Sequence, residues 1–435
     1  MSTLPAVPKP AVVTIEELDA RLDRLLPQIA AGAAQRERDR QLPYEAIAQI
    51  AKAGLFTARI PTRFGGAGGS VKEVIALLVR IASADSNVAQ ALRPGFGFVE
   101  GLLASKAEGA EAERERWFAR YLQGAVVGNA GWEIGGANGS VSARIVRDGE
   151  HYRASGSKYY STGSLYADWV SAVALDENEQ PVSFVLPRDR KGLELLDDFD
   201  AMGQRLTASG TTHLHDVLVK ADEIRTRTVE EGKRTIVTPF LQLFLASVNA
   251  GIARNALNDA VTFANDHARP IKHSTAKRSV DDPYVELSVG DVSARAFTAE
   301  AVVLRAAESI DRAWAAELDS VAVDQAAVDV AQAQYIAAES ALKAAELVFD
   351  VGGASTTGRT HNLDRHWRNA RTVSNHNPRQ WKAAAVGASN ADAATGARKD
   401  ASAMAPAARL LRIMELSCVR LDLVWRCTSE CAQHI

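Results

Sequence analysis

The hydrophobic period changes twice along this chain, and that change constrains the fold more than any single motif. Ile15, Leu18, Leu22, Leu25 and Ile29 recur at helical spacing behind a Thr14–Glu17 capping box. A second helix is expected with Pro43 in its first turn, Ile47 and Ile50 on its buried face and Gly54 as its stop. Ser70 and Glu73 form another capping box, followed by Val74, Leu77, Leu78 and Ile81, and a further helix is expected around Ala112 to Leu122.

From about Ala125 the pattern becomes one of short strands. AVVGNAGWEI, VSARIVRDG, HYRASGSKYYS, ADWVSAVAL and PVSFVLP are separated by turn-forming residues, and the run ends near HLHDVLVKADEI. Such a run predicts a compact β domain. Helical spacing returns at about Val237 with Leu241, Phe244, Leu245, Val248 and Ile252, and three more long segments follow near 283–316, 322–350 and 376–388. Four long helices suffice for a bundle. The expected fold class is therefore α+β, mainly α, in three parts: an N-terminal helical domain (1–124), a central β domain (125–232) and a C-terminal four-helix bundle (233–390). A tail, 391–435, follows.

Composition narrows the function. A net charge of −3 with scattered Lys and Arg gives no basic field for nucleic acid or anionic lipid. No stretch approaches a membrane-spanning length and no leader-like apolar region follows the first ten residues, so a cytoplasmic protein is expected. The three cysteines (Cys418, Cys427, Cys431) all lie near the C-terminus, so the body carries no disulfide framework.

Several motifs carry little. Phe64–Gly69 (FGGAGG) does not fit a dinucleotide loop and reads as a flexible connection. Cys427, Cys431 and His434 make at most a partial metal half-site, and no metal is expected. His213 and His215 alternate as strand residues do.

Four segments are more specific: GNAGWEIG (128–135), GSKYYSTGSLYADWV (156–170), ARP…DDPY (268–284) and NLDRHWRNARTVSNHNPRQWK (362–382). With the helix–strand–helix order, they make the chain resemble the acyl-CoA dehydrogenase superfamily from roughly Ile15 to Gly387, and within it the FMN-dependent monooxygenase branch. The resemblance implies a homotetramer whose flavins lie between the β domain and the bundle, each touched by a neighbouring subunit. It implies that Thr162, next to Ser161, hydrogen-bonds flavin N5 and O4. Backbone groups from Ala130 to Trp132 would meet the pyrimidine edge, and Asn129 would be an active-site amide. Read without the resemblance, Thr162 is a strand residue before a Gly turn and Asn129 a buried strand amide. Trp132 departs from the Ser or Thr usual in relatives.

The same resemblance separates dehydrogenase from monooxygenase. A dehydrogenase needs a carboxylate base. The two positions at which the superfamily carries one are Asn377 and Leu241 here, and neither is a base. His376 instead matches a monooxygenase histidine that donates a hydrogen bond or a proton to the oxygen carried by the flavin. It reads otherwise as a solvent-paired histidine at a helix start. The FAD-specific segment is replaced by Arg269-Pro270-Ile271-Lys272-His273, and Phe349 stands where relatives have the Gln ahead of the Gly352-Gly353 pair. Reduced FMN (FMNH2) is therefore favoured over FAD, with Arg269 as the phosphate partner.

A histidine that faces the flavin in relatives is replaced here by Gly95 or Phe96, and an arginine after the Gly pair by Ser355, for which Arg359 is the candidate substitute. The expected activity is a two-component monooxygenase. It would be supplied by a separate NAD(P)H–flavin reductase and would act on a small apolar or organosulfur substrate, with His376, Asn129 and Thr162 as catalytic residues. The competing readings are a dehydrogenase or oxidase on a non-CoA substrate, and an inactive paralogue.

Overall fold

The computed structural model of the chain describes residues 13–134, 141–225 and 234–394. Its N-terminal helices begin where the caps predict. Helices α1 (Ile15–Ala30) and α4 (Val71–Ala84) both open on complete capping boxes, Thr14 with Glu17 and Ser70 with Glu73. Each box satisfies two backbone donors that the first turn would leave unpaired, and its N-cap contributes about 1 kcal/mol. Between them lie α2 (Ala33–Asp39) and α3 (Tyr44–Lys52), with Pro43 at the N-cap of α3 rather than inside its first turn. The block ends with α5 (Ser86–Ala91), α6 (Arg93–Ala104) and α7 (Ala110–Leu122). Phe64–Gly69 is part of the connection into α4.

The strands are β1 (Val127–Ala130), β2 (Arg144–Asp148), β3 (His151–Lys158), β4 (Trp169–Leu175), β5 (Pro181–Pro187), β6 (Leu193–Leu195), β7 (Thr212–Val219) and β8 (Ile224–Arg225). They form one sheet in the order β6-β7-β3-β2-β4-β5-β8, with β1 also on β4. The neighbours along that order pair antiparallel, except that β2 meets β4 in parallel through Arg144 and Leu175. β1 runs parallel to β4, matching Val127 with Trp169 and Asn129 with Ser171. That placement sets Asn129 beside the connection from β3 to β4. On β7, Thr212 and Leu214 are buried while His213 and His215 face outward, as the strand period requires.

The helices that follow are α8 (Val237–Asp266), α9 (Pro283–Ala315), α10 (Ser320–Leu347), α11 (Asp364–Ser374) and α12 (Arg379–Ala394). The sequence suggests one apolar stripe on α8, but its first half is buried on every side, from Phe240 and Leu243 to Val248 and Ile252. α4 covers one flank and α9 and α10 the others, so α8 is a central helix and not an amphipathic one. Burying Phe240 and Phe244 contributes roughly 1.5–3 kcal/mol each. A Cβ on Gly251 would sit 2.3 Å from Ala82 Cβ, so only glycine lets α8 approach α4 this closely. α9 packs on α10, each burying alanines such as Ala299 and Ala306 on α9 and Ala337 and Ala341 on α10, and α12 packs on α10.

Helix α11 is absent from the sequence expectation, because its buried face is largely polar: Arg365, His366 and Asn369 beside Ala370 and Val373. Apart from the last backbone turn of α12, the tail with Cys418, Cys427, Cys431 and His434 lies outside the described residues.

Candidate functional site

The site grows from the turn that follows β3. Tyr160 adopts a left-handed φ of 58° and Gly163 one of 75°, which folds Ser161 and Thr162 sharply under the loop before β7. That loop holds the turn by backbone bonds: Ser161 N–H donates to Gly210 O at 3.3 Å and Gly163 N–H to Thr207 O at 2.9 Å. Asn129 N–H donates to Thr162 O at 3.2 Å. Two of the expected site residues, 129 and 162, are therefore joined directly.

Thr162 is buried, and its Oγ1 lies 3.0 Å from Ser209 Oγ, which lies 2.7 Å from Thr207 Oγ1. Neither Ser209 nor Thr207 is singled out by the sequence reading. Asn129 Oδ1 is buried and meets no donor among the described residues, an arrangement that costs about 1–3 kcal/mol unless a ligand supplies the donor. Ala130 lies in the β1–β4 ladder. The Trp132 carbonyl accepts from Tyr159 N–H at 2.7 Å. The N–H, carbonyl and hydroxyl of Ser161 are all bonded within the chain, to Gly210, Ser164 and Thr212, so Ser161 builds the turn that presents Thr162.

Glu133 anchors the segment after β1. Its carboxylate accepts from Lys158 Nζ at 2.6 Å, Ser142 N–H at 2.7 Å, Ser142 Oγ at 2.6 Å and Ala143 N–H at 3.1 Å. Burial raises the Glu133 carboxyl, but these donors more than reverse that and hold it below the usual range. Burial also pushes the Lys158 ammonium down, against Glu133. With four donors on the carboxylate, the charged pair is the form the geometry supports.

A second group of residues meets this turn through the start of α6. A Cβ on Gly163 would lie 2.6 Å from Ala91 O, so the turn rests directly on the α5–α6 junction. Arg93, the first residue of α6, reaches His376, with 3.2 Å between Nη1 and Nε2. Gly95 lies against the Phe56 ring and Phe96 packs between Phe56 and Phe244, so both point into the helical core.

His376 is exposed in the single chain, with protein packed closely around the rest of the ring. That crowding, then the positive charges of Arg93 and Lys382, pushes its pKa down to about 3. Beside it the Asn377 amide donates to Gln242 Oε1 at 2.9 Å, and Lys382 Nζ donates to the same oxygen at 3.1 Å. Asn377, Gln242 and Lys382 are all buried. Of the two positions at which the resemblance sets a dehydrogenase's base, 377 carries an amide inside this amide–ammonium cluster, and Leu241, the residue before Gln242, packs towards Gly97.

Arg269 does not join this group within one chain. It is exposed beyond the end of α8, and the 24 residues from Gln242 to Asp266 span about 36 Å of helix. A cleft of ≈ 600 Å³ lined by Arg38, Asn258, Asp259, His267, His361 and Arg365 also lies apart from residues 129, 162 and 376. Among the described residues no cluster of His, Cys, Asp and Glu could hold a metal ion, and no helix is long and apolar enough to cross a membrane.

Comparison with known proteins agrees with this architecture. The family described as acyl-CoA dehydrogenase, N-terminal domain, matches residues 23–125, and acyl-CoA dehydrogenase, C-terminal domain, matches residues 243–381. The chain belongs to the acyl-CoA dehydrogenase family. Among its relatives in that family, dibenzothiophene monooxygenase of Mycolicibacterium goodii is 27% identical over 381 residues, covering 82% of this chain and 87% of its own. The probable FMNH2-dependent monooxygenase SfnC of Pseudomonas putida is 28% identical, covering 85% and 92%. The FMN-bound crystal structure of TdsC from Paenibacillus sp. A11-2 superposes with a TM-score of 0.80 at 26% identity, covering 89% of this acyl-CoA dehydrogenase-family chain and 99% of TdsC.

Proposed function

We propose that this protein is a two-component flavin-dependent monooxygenase. It takes reduced FMN from a separate NAD(P)H–flavin reductase in the cytoplasm and uses O2 to oxygenate a small apolar or organosulfur substrate. The observation that carries this reading is the amide–ammonium cluster of Asn377, Gln242 and Lys382. It stands where a dehydrogenase would place its carboxylate, in a chain whose relatives include FMNH2-dependent and dibenzothiophene monooxygenases. Neither Asn377 nor Leu241 can take the α-proton of an acyl thioester as a carboxylate would.

The residues present fit a flavin. Asn129 Oδ1 is a buried acceptor with no donor of its own among the described residues, and the Thr162 hydroxyl is buried on the neighbouring turn, whose backbone carbonyl at Thr162 accepts from Asn129 N–H. Bound reduced FMN would supply the electrons that activate O2. Thr162 and Asn129 would hold the isoalloxazine edge. His376, kept neutral, would offer a hydrogen bond from its Nδ1–H, while Arg93 would carry a permanent charge. Phe240 and Phe244 belong to the apolar core behind this region, a low-dielectric backing that strengthens such contacts.

Arg269 suits the FMN phosphate only if it comes from a neighbouring subunit, which supports a homotetramer. Tyr284, Leu287 and Phe297 on α9 are 75%, 67% and 74% exposed in the single chain, as apolar residues at a subunit contact would be.

Anaerobic titration with reduced FMN, followed by rapid mixing with oxygenated buffer, tests the function. The expected result is tight binding and a delayed return of oxidised-flavin absorbance relative to free FMNH2. Anaerobic reduction of bound oxidised flavin by an organic substrate would instead support a dehydrogenase, and failure to bind flavin an inactive paralogue.

A further inference from the structure

The three buried hydroxyls behind the flavin site have a direction. Thr207 Oγ1 lies 2.9 Å from the Gln204 carbonyl oxygen, which can only accept, so the single Thr207 hydroxyl proton points there. Ser209, 2.7 Å from Thr207, must then donate to it. Thr162, 3.0 Å from Ser209, must in turn donate to Ser209. A weaker contact of Thr162 at 3.5 Å is to the Tyr160 carbonyl, again an acceptor. Each hydroxyl therefore passes its proton inward towards Gln204, and Thr162 has lone pairs but no proton left for a ligand.

The end of the relay is held firmly. Gln204 and Ala208 take φ values of 54° and 51°, a left-handed conformation that costs a non-glycine residue roughly 1–2 kcal/mol. Neighbouring elements hold the loop in it. Gln204 N–H donates to Asn369 Oδ1 at 2.6 Å, Gln204 Nε2 to Ser86 Oγ at 3.1 Å and Leu206 N–H to Asn87 Oδ1 at 3.1 Å. Strain retained at a buried polar loop is the pattern expected of a functional segment.

We infer that the Ser209–Thr207 relay makes Thr162 a hydrogen-bond acceptor towards flavin N5, so that the site prefers the reduced flavin. Reduced flavin carries a proton on N5 and needs an acceptor, whereas oxidised flavin presents a lone pair there and needs a donor. Ser209 and Thr207 are positioning residues that act through Thr162. The inference rests on the FMN reading and specifies which redox form the site is built to hold, as befits a protein that receives its flavin already reduced.

The test is the ratio of dissociation constants of oxidised to reduced FMN, measured anaerobically by fluorescence, with the midpoint potential of bound flavin as a second readout. Ser209→Ala removes the acceptor for the Thr162 proton and frees Thr162 to donate to oxidised N5. The ratio is expected to fall about tenfold, equivalent to a potential lower by about 30 mV for a two-electron couple. Thr207→Val, which keeps the branched shape and removes only the hydroxyl, should move the ratio in the same direction by letting Ser209 turn its proton towards Thr162. In a Thr162→Val background neither substitution should move it. An unmoved ratio in Ser209→Ala and Thr207→Val, or an equal shift in the Thr162→Val background, overturns the relay alone. Failure of the unsubstituted protein to bind either form overturns the FMN reading with it.

Discussion

Arg93 and His376, 283 residues apart, meet with 3.2 Å between Nη1 and Nε2. A guanidinium can only donate, so Nε2 accepts and the single ring proton sits on Nδ1. The contact fixes the tautomer and charge of the imidazole together, and it assigns the permanent positive charge of the site to Arg93. The charged groups acting on the ring are Arg93 on α6 and Lys382 on α12, and both oppose its protonation.

The first prediction follows from that field. The crowding of protein around His376, then Arg93, pushes its pKa down to about 3. Carbethoxylation of the peptide containing His376, followed by mass spectrometry, should therefore proceed at a constant rate from pH 8 to about 5.5, below the ordinary imidazole value near 6.5. In Arg93→Met the pH at which the rate begins to decline should move upward, because one opposing charge has gone. The stability consequence has a definite sign. Any contribution from a neutral folded His376 is present above pH ~6.5 and is lost as pH falls towards 3, since the unfolded chain takes up the proton first. A strongly pH-dependent rate in the unsubstituted protein would show that the imidazole is not held neutral.

The second prediction concerns the buried pair of Lys158 and Glu133, whose side chains are 0% and 7% exposed. Glu133→Gln leaves a buried ammonium without its counter-charge and should cost roughly 3 kcal/mol in urea unfolding. Lys158→Met should cost less, because Glu133 keeps the Ser142 and Ala143 donors. The double variant should recover part of the Glu133→Gln loss, and a simply additive cycle would mean that the pair is not coupled.

What could be read from the sequence was whatever is encoded locally. Thr14–Glu17 and Ser70–Glu73 announce their helices because a cap and its partner are three residues apart. The strand segments are legible for the same reason, through a period of two. Asn129 and Thr162 could be named from flanking motifs, and the structure joins them by a backbone hydrogen bond. Arg93 could not be found this way, because its role depends on a contact with His376 that no spacing encodes. Ser209 is hidden for a related reason. The run from Thr207 to Thr212 carries no motif, and only the fold lays Ser209 against Thr162. Helix α11 escaped a search for apolar stripes because Arg365 and His366 are buried by pairing with Asp259, at 2.6 and 2.8 Å, rather than by hydrophobicity.

Gly163 provides the third prediction. Its φ of 75° disfavours any side chain, and a Cβ there would lie 2.6 Å from Ala91 O, a backbone atom that cannot turn aside. Gly163→Ala should therefore cost roughly 2 kcal/mol or more and move the turn off the α5–α6 junction. Because Thr162 precedes it and Arg93 lies just beyond that junction, FMN affinity should fall together with the unfolding midpoint. A variant with the original affinity and stability would show that the turn does not depend on this contact.

The fourth prediction separates one chain from an assembly. Arg269 lies beyond the end of α8, about 36 Å along that helix from Gln242, so one flavin cannot reach both Arg269 and the Asn377 cluster of the same chain. If Arg269 holds the phosphate of a neighbour's FMN, then Arg269→Ala and Thr162→Val each damage every site when assembled alone. Refolding an equal mixture changes that arithmetic. Half of the subunit pairs become mixed, and each mixed pair contains one site that combines an intact Thr162 from one subunit with an intact Arg269 from the other. About a quarter of all sites should regain FMN affinity close to that of the unsubstituted protein. Titration of the mixture should then be biphasic, with a tight phase of that amplitude. A single weak phase would place both residues on the same subunit's flavin, which the length of α8 does not permit, or would remove Arg269 from the flavin site altogether.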